Sequence, residues 1–116
     1  MPISMALGKP LIGAVLARLS ARGLARRVVD MGPGAGTYAD LFRALTPEAA
    51  WCAVEAWGPY VAKYGLRGKY DEIIIADIRY LDFIKLGPSD IALFGDILEH
   101  MSYRLVLKQS VVHLRK

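Results

Sequence analysis

Three glycines at alternate positions, Gly32, Gly34 and Gly36, constrain the fold of this chain more than any other feature of its sequence. They follow a short apolar segment that contains Asp30, and an amphipathic segment begins directly after them at Thr37. A chain that leaves a strand and reverses into a helix needs small residues in the turn, and a ligand can approach bare backbone there. No Gly-Lys-Ser/Thr triplet follows, so this is not a Walker loop. The glycines predict a strand–loop–helix unit with a ligand site at the loop.

Short apolar segments alternate with amphipathic ones along the chain. Strands are expected at residues 28–31, 51–55, 73–77 and 90–96, and helices at about 9–22, 37–45, 59–66 and 102–114. Residues 79–86 are expected to form a short helix or a turn. The third strand is apolar on both faces, which favours burial inside a parallel sheet. Because parallel strands need crossover connections, the alternation predicts an α/β fold with helices on both faces of the sheet.

Two of the helices have apolar residues at helical spacing. In the first, Leu11, Val15, Leu16 and Leu19 are expected to cover one face of the sheet. In the second, the expected inner face is formed by Leu41, Phe42 and Leu45.

An acidic residue stands at or just beyond the end of every predicted strand: Asp30, Glu55, Asp77 and Asp96. In a doubly wound sheet these ends face one crevice, where ligands bind. Turns and helix N-termini also favour acidic residues, which would explain any one of these positions. Four in succession, with glycines after the first, favour a ligand crevice.

The residues that follow the glycine loop limit the class of ligand that the site could bind. A dinucleotide fingerprint needs a third small residue one position beyond Gly36, and Thr37 stands there, which disfavours a nicotinamide-dependent oxidoreductase. Glu55 follows Gly36 by nineteen residues, at the end of the next strand, where a carboxylate can accept from both ribose hydroxyls. The spacing therefore indicates a ribose-containing ligand without a pyrophosphate.

Four motifs in order resemble class I S-adenosylmethionine-dependent methyltransferases. Residues 28–36 (VVDMGPGAG) resemble the first motif of that family, Glu55 its ribose-binding acid, and residues 76–78 (ADI) its adenine-contacting segment. Residues 90–100 (DIALFGDILEH) are similar to its fourth motif, in the form common among small-molecule methyltransferases. The resemblance extends from about residue 27 to 107. It implies a Rossmann-like α/β/α fold with strand order 3-2-1-4, of which this chain would hold about four of the family's seven strands.

The resemblance also implies a role for each matching residue toward the cofactor, S-adenosyl-L-methionine. The methionine part would be held by Asp30 and by the backbone around Gly32 and Gly34, and Gly36 would be a further cofactor-binding residue of the loop. The ribose would be held by Glu55, with Trp57 packed beside it.

At the other end of the cofactor, Asp77 would accept from the adenine amino group and Ile78 would lie against the ring. Asp96 would lie nearest to the sulfonium and the acceptor. Methyl transfer depends mainly on positioning, and acidic walls suit a cationic sulfonium.

Other reactive side chains have two interpretations each. His100 is a candidate general base, although a histidine in the first turn of a helix is more often packed or hydrogen-bonded. Asp96, Glu99 and His100 lack the spacing of a metal site, so no metal is expected. The three tyrosines Tyr60, Tyr64 and Tyr70 are interpreted as helix and loop packing residues in preference to an aromatic platform, and Cys52 as a small core residue.

Length, charge and cysteine content indicate how the chain is organised and where the protein is expected to be. A chain of 116 residues with a net charge of +4 is expected to form a single domain over residues 1–116, with the motif-bearing core at 27–107. The single cysteine gives no sign of an oxidising compartment, and no segment resembles an address or a membrane span, so a cytoplasmic protein is expected.

The expected function is methyl transfer to a small-molecule acceptor, without a membrane partner. A nucleic-acid acceptor is disfavoured because residues 96–98 lack the Asn/Asp-Pro-Pro-Tyr/Phe motif of amino-methylating nucleic-acid enzymes. The alternative is a non-catalytic cofactor-binding module, or a fragment or subunit of a larger methyltransferase. With only four strands, residues 90–96 would form an exposed apolar edge, so a homo-oligomer or a partner chain is expected to cover it.

Overall fold

The computed structural model describes residues 2–94 of the protein, with side chains described from Lys9 onward. Four parallel strands form one sheet in the order β3-β2-β1-β4. The strands are β1 (Arg27–Met31), β2 (Ala50–Glu55), β3 (Glu72–Ile75) and β4 (Ile91–Leu93). The α-helices are α1 (Pro2–Ala21), α2 (Thr37–Phe42), α3 (Pro59–Lys63) and α4 (Phe83–Leu86), and short 3₁₀ turns lie at Arg43–Leu45, Leu66–Gly68 and Ile78–Tyr80. The expected α/β fold and strand order are confirmed, and the predicted last helix at 102–114 lies outside the described residues.

The sheet separates two apolar clusters because successive residues of a strand point to opposite faces. Val28 packs with Trp51 and Leu66 on the face covered by the first three helices. Val29 packs with Cys52 and Leu86 on the other face. Both central strands, β1 and β2, are therefore buried on both sides, as near-continuous apolar runs require.

The first helix differs from its prediction at its start and in its buried face. It begins at Pro2 and continues through Pro10, whereas the apolar spacing predicted a helix only from about Lys9. Leu11 is 67% exposed and Val15 is also exposed. The helix instead packs through Leu16 and through Gly13, where a Cβ would lie 3.2 Å from the Phe42 ring. Because Gly13 has no side chain, α1 approaches α2 closely at this position. That contact decides which face of α1 is buried.

The second helix is shorter than predicted and also turns a different face inward. It ends at Phe42 and tightens into a 3₁₀ turn, with Phe42 and Ala39 buried while Leu41 and Leu45 are exposed. The third strand ends at Ile75 and is the edge of the sheet, so the expectation that it is buried on both faces is wrong. An edge strand has neighbours on one side only, which leaves Ile75 exposed despite its apolar sequence.

Polar side chains hold the amino ends of the strands together. The Asp90 carboxylate accepts from the backbone N–H groups of Arg26 and Arg27, and the Arg27 guanidinium donates to the carbonyls of Leu86 and Pro88 and pairs with Glu72. On the neighbouring strand, Asp71 accepts from the backbone of Trp51 and from Arg43. These carboxylates stabilise the amino edge of the sheet, whereas Asp30, Glu55 and Asp77 lie toward the carboxyl edge.

Candidate functional site at the carboxyl edge of the sheet

The glycine loop leaves β1 through three residues in the left-handed region of backbone space. The φ angles are +72° at Gly32, +56° at Gly34 and +81° at Gly36, values that other residues adopt only with strain. The Gly32 N–H donates to the carbonyl of Val54 at 2.8 Å, which ties the start of the loop to β2. The alternate spacing of the glycines is thus a requirement of the backbone path.

Lys69 holds this loop from the outside. Its ammonium donates to the carbonyl of Ala35 and to the carboxylate of Asp40, each at 2.9 Å, and so joins the loop to the first turn of α2. A Cβ at Gly36 would lie 2.7 Å from the Lys69 Cδ, so the lysine stem rests directly on the glycine. This contact was not predictable from the sequence, because nothing in a surface turn marks a lysine as a contact of a distant loop.

Asp30 is the most deeply buried acid described, with 1% of its surface exposed. One of its oxygens, Oδ2, accepts a hydrogen bond from the Tyr70 hydroxyl at 2.6 Å. Among residues 9–94, Tyr70 is the one side chain that hydrogen-bonds this carboxylate. Burial raises the pKa of the Asp30 carboxyl to about 6, Tyr70 opposes that rise, and the negative charge of Glu55 adds to it. The site therefore contains a carboxylate whose charge is poorly compensated by the part of the chain that the structure describes.

Glu55 ends the neighbouring strand on the same face of the sheet. Ala53 is the register partner of Asp30, and alternation along β2 puts Glu55 on the same face two residues further toward the carboxyl edge. Glu55 is only 6% exposed, and its Oε2 accepts from the backbone N–H of Trp57 at 2.8 Å. Two buried carboxylates thus lie at neighbouring strand ends, close enough for one to affect the ionisation of the other.

Apolar surface lies beside these acids. Trp57, whose backbone fixes Glu55, leaves its own side chain 60% exposed. Ile75 at the end of β3 is also exposed, and a Cβ at Gly58 would lie 3.5 Å from its Cδ1. An exposed indole two residues along the chain from a buried carboxylate provides a flat apolar surface and a hydrogen-bond acceptor at the same end of β2. The arrangement suits a ligand with both polar and apolar faces.

Asp77 lies two residues beyond the end of β3 and caps the following 3₁₀ turn. It accepts from the backbone N–H of Arg79 and is paired with the guanidinium of the same residue. The hydrogen bonds from the Arg79 side chain and backbone lower the pKa of Asp77 to about 2. Ile78 is buried in the second apolar cluster. Both predicted adenine contacts therefore have partners within the chain, and their role toward a cofactor stays a prediction.

The two predicted catalytic residues, Asp96 and His100, lie outside the described residues, as does Glu99. Within the described part of the chain, no three His, Cys, Asp or Glu side chains are grouped as a metal site would require. No helix within residues 2–94 is both long and apolar enough to cross a membrane.

The tyrosines differ in a way that the sequence did not reveal. Tyr60 and Tyr64 pack edge to face, with ring centroids 5.1 Å apart, as expected of packing residues. Tyr70 packs on Trp51 and also supplies the hydrogen bond to Asp30. Its polar role was missed because it comes from a residue forty positions away from the acid it contacts.

These observations define a Rossmann-like α/β fold whose sheet carries a glycine loop and two buried carboxylates at its carboxyl edge. This fold is shared with EvdMO1, whose crystal structure superposes with a TM-score of 0.62 at 21% sequence identity, over 84% of this chain and 25% of that one. A second structure, that of the mitomycin 7-O-methyltransferase MmcR, is 20% identical over 97% of this chain and 34% of that one, with a TM-score of 0.47. The chain thus spans a quarter of the length of EvdMO1 and a third of that of MmcR. No protein-family model matches the chain, and no curated protein matches its sequence.

Proposed function

We propose that this chain binds S-adenosyl-L-methionine at the carboxyl edge of its sheet and is the cofactor-binding part of a methyltransferase that acts on a small-molecule acceptor. The observation that carries the proposal is the pair of buried carboxylates, Asp30 and Glu55, beside the glycine loop. Burying ionised groups is costly, and two like charges at neighbouring strand ends add to that cost. A cationic ligand would offset it, and this cofactor carries both a sulfonium and an ammonium group.

The residues present fit the cofactor in chemistry as well as in charge. Only one oxygen of Asp30 accepts a hydrogen bond within the described chain, which leaves the other for a donor on the ligand. Glu55 likewise uses Oε2 for the backbone of Trp57 and has a second oxygen for a ribose hydroxyl. The glycine loop presents backbone without side chains, which lets a ligand approach closely.

When bound, the cofactor would supply an activated methyl group on its sulfonium. The residues of this chain would bind and orient it, since an in-line transfer gains most from positioning. Asp30 and Glu55 would hold its ammonium and ribose ends, and the exposed indole of Trp57 would cover one side. From the family resemblance, Asp96 would lie nearest to the acceptor and His100 would be the candidate base.

A second candidate is a non-catalytic module that binds the cofactor or its demethylated product. It is favoured by the local pairing of Asp77 with Arg79 and by the burial of Ile78, which leave the adenine end with fewer available groups. The two candidates differ in whether a methyl group leaves the bound cofactor.

Calorimetric titration tests cofactor binding, which both candidate functions require. Micromolar binding of S-adenosyl-L-methionine is expected, and Glu55→Gln should weaken it at least about tenfold because a hydrogen bond to a charged group is lost. Glu48→Gln, a change at an exposed acid, is the control and should bind as the unmodified chain does. Folded protein that binds neither the cofactor nor its demethylated product would contradict the proposal, and binding of reduced nicotinamide cofactor instead would favour an oxidoreductase.

Transfer of labelled methyl from the cofactor separates the candidates. The assay would use a panel of small molecules that carry hydroxyl, amino or thiol groups. Labelled product would establish the transferase, whereas binding without transfer to any member of the panel would favour the non-catalytic module.

A further inference from the structure

The hydrogen bond between Tyr70 and Asp30 joins two buried groups from different parts of the chain. Tyr70 lies two residues before β3, is 5% exposed and packs against the ring of Trp51. Its hydroxyl lies 2.6 Å from Asp30 Oδ2, a short distance typical of a hydroxyl bonded to an ionised carboxylate. A phenylalanine could pack in the same place, so packing alone does not account for the hydroxyl.

We propose that Tyr70 is a positioning residue for Asp30, whose hydroxyl keeps the buried carboxylate ionised and oriented beside the glycine loop, so that the chain holds a cationic ligand at neutral pH. The inference rests on the proposed function for the identity of that ligand, but the effect of Tyr70 on Asp30 does not depend on it. Asp30 would act on the ligand, and Tyr70 would act through Asp30.

The other charged groups around this pair oppose the ionisation of Asp30 or are already paired. Glu55 from β2 faces Asp30 and disfavours its charge. Asp40 from α2 faces Tyr70 and is paired with Lys69. Tyr70 is the described group whose hydrogen bond favours the charged form of Asp30.

Tyr70 can act only as a donor in this pair over the physiological range. Burial raises the pKa of its hydroxyl above the ordinary value, and the negative charge of Asp30 raises it further. The hydroxyl therefore keeps its proton while Asp30 titrates. Buried charges are screened little by salt, so the charge of Asp30 can act on a cation held at the neighbouring loop.

The first test needs no ligand. The free energy of unfolding would be measured by urea denaturation from pH 4 to pH 9 for the unmodified chain and for Tyr70→Phe, with Tyr64→Phe as the matched control. Without its donor, Asp30 should titrate on the order of one pH unit higher. The pH-dependent loss of stability should therefore extend to higher pH in Tyr70→Phe, and Tyr64→Phe should keep the original profile.

The second test is the affinity for S-adenosyl-L-methionine over the same pH range. For a shift of about one unit, the ionised fraction of Asp30 at pH 6 falls from about a half to about a tenth, so the affinity should fall about fivefold at pH 6 and stay nearly unchanged at pH 9. A purely structural effect of Tyr70→Phe would weaken binding equally at all pH values.

Asp30→Asn keeps the proposal decidable if Tyr70→Phe does not fold. The amide oxygen can still accept from Tyr70 but cannot ionise, so cofactor binding should lose its pH dependence between about pH 5 and 7. A Tyr70→Phe protein with unshifted profiles, or an Asp30→Asn protein that keeps the original pH dependence of binding, would overturn the inference. If the unmodified chain binds no cofactor, the proposed function fails, and the ligand-free profiles still decide the role of Tyr70.

Discussion

The Arg79 guanidinium engages both carboxylate oxygens of Asp77, with Nε 3.0 Å from Oδ1 and a terminal nitrogen 2.6 Å from Oδ2. The same carboxylate is the group that the family resemblance assigns to the adenine amino group. A ligand that uses Asp77 must therefore compete with an arginine two residues away. Because both side chains are partly exposed to water, the competition is weak enough for a ligand to win.

Removing this competitor should strengthen cofactor binding. We expect Arg79→Ala to tighten the affinity for S-adenosyl-L-methionine by up to about fivefold, since an ion pair between two water-exposed side chains is weak and is readily replaced. Calorimetric titration measures this change, with Arg67→Ala as the control at another exposed arginine. Weaker binding by Arg79→Ala would show that the guanidinium itself contacts the ligand.

The burial of Asp30 should make the ligand-free protein less stable as the pH rises. The pKa of this carboxyl is about 6 in the folded chain against an ordinary value of 3.8, so the folded state binds more protons between these two values. The contribution of the Asp30 carboxyl to the free energy of unfolding is therefore fully present below about pH 4 and is lost as the pH rises through about 6. The loss amounts to about 3 kcal/mol, from a shift of about two units.

Replacing the charge should therefore stabilise the protein at neutral pH and impair its site. We expect Asp30→Asn to raise the free energy of unfolding at pH 8 by up to about 3 kcal/mol and to change it little at pH 4. Urea denaturation at the two pH values measures the difference. An equal effect at both values would mean that the change acts through packing and not through ionisation.

The glycine loop should tolerate a side chain less well at Gly36 than at Gly34. Both have positive φ, so alanine costs about 1–2 kcal/mol at either position. At Gly36 the new Cβ would also displace Lys69 from the Ala35 carbonyl, for a further loss of about 1 kcal/mol, whereas Gly34 faces open space. Thermal or urea unfolding of both variants measures the difference.

A double-mutant cycle tests whether the contact with Lys69 causes the extra loss of stability in Gly36→Ala. In a Lys69→Ala background the extra cost of Gly36→Ala over Gly34→Ala should shrink, because the displaced contact is already absent. An undiminished difference would assign the cost to the backbone alone.

Cys52 should be unreactive until the protein unfolds. It is the only cysteine of the chain, is buried in β2, and has its pKa raised to about 12 by burial and by the charge of Glu72. We expect a thiol reagent to leave the folded protein unlabelled at pH 8 and to label it rapidly in urea, as followed by mass spectrometry. Rapid labelling without denaturant would indicate that the sheet opens locally around β2.

The local sequence determined the elements of this fold and their order. Apolar runs at residues 28–31 and 51–55 predicted buried strands, and the glycines at 32, 34 and 36 predicted a sharp turn, because both properties depend on neighbouring residues. The parallel α/β arrangement follows from their alternation with helices. The acids Asp30 and Glu55 were identifiable for the same reason, since each lies at or near the end of its own strand.

Tertiary structure decided which faces are buried and which partners the acids have. Gly13 lies against the Phe42 ring, and this contact turns Leu11 and Val15 outward, against their periodicity. Tyr70 and Lys69 reach Asp30 and the glycine loop from positions far along the chain. Such contacts have no local sequence signal, because they arise only when packing brings separate segments together. The sequence thus determined where the charges of the site lie, and the fold decided how each charge is buried and paired.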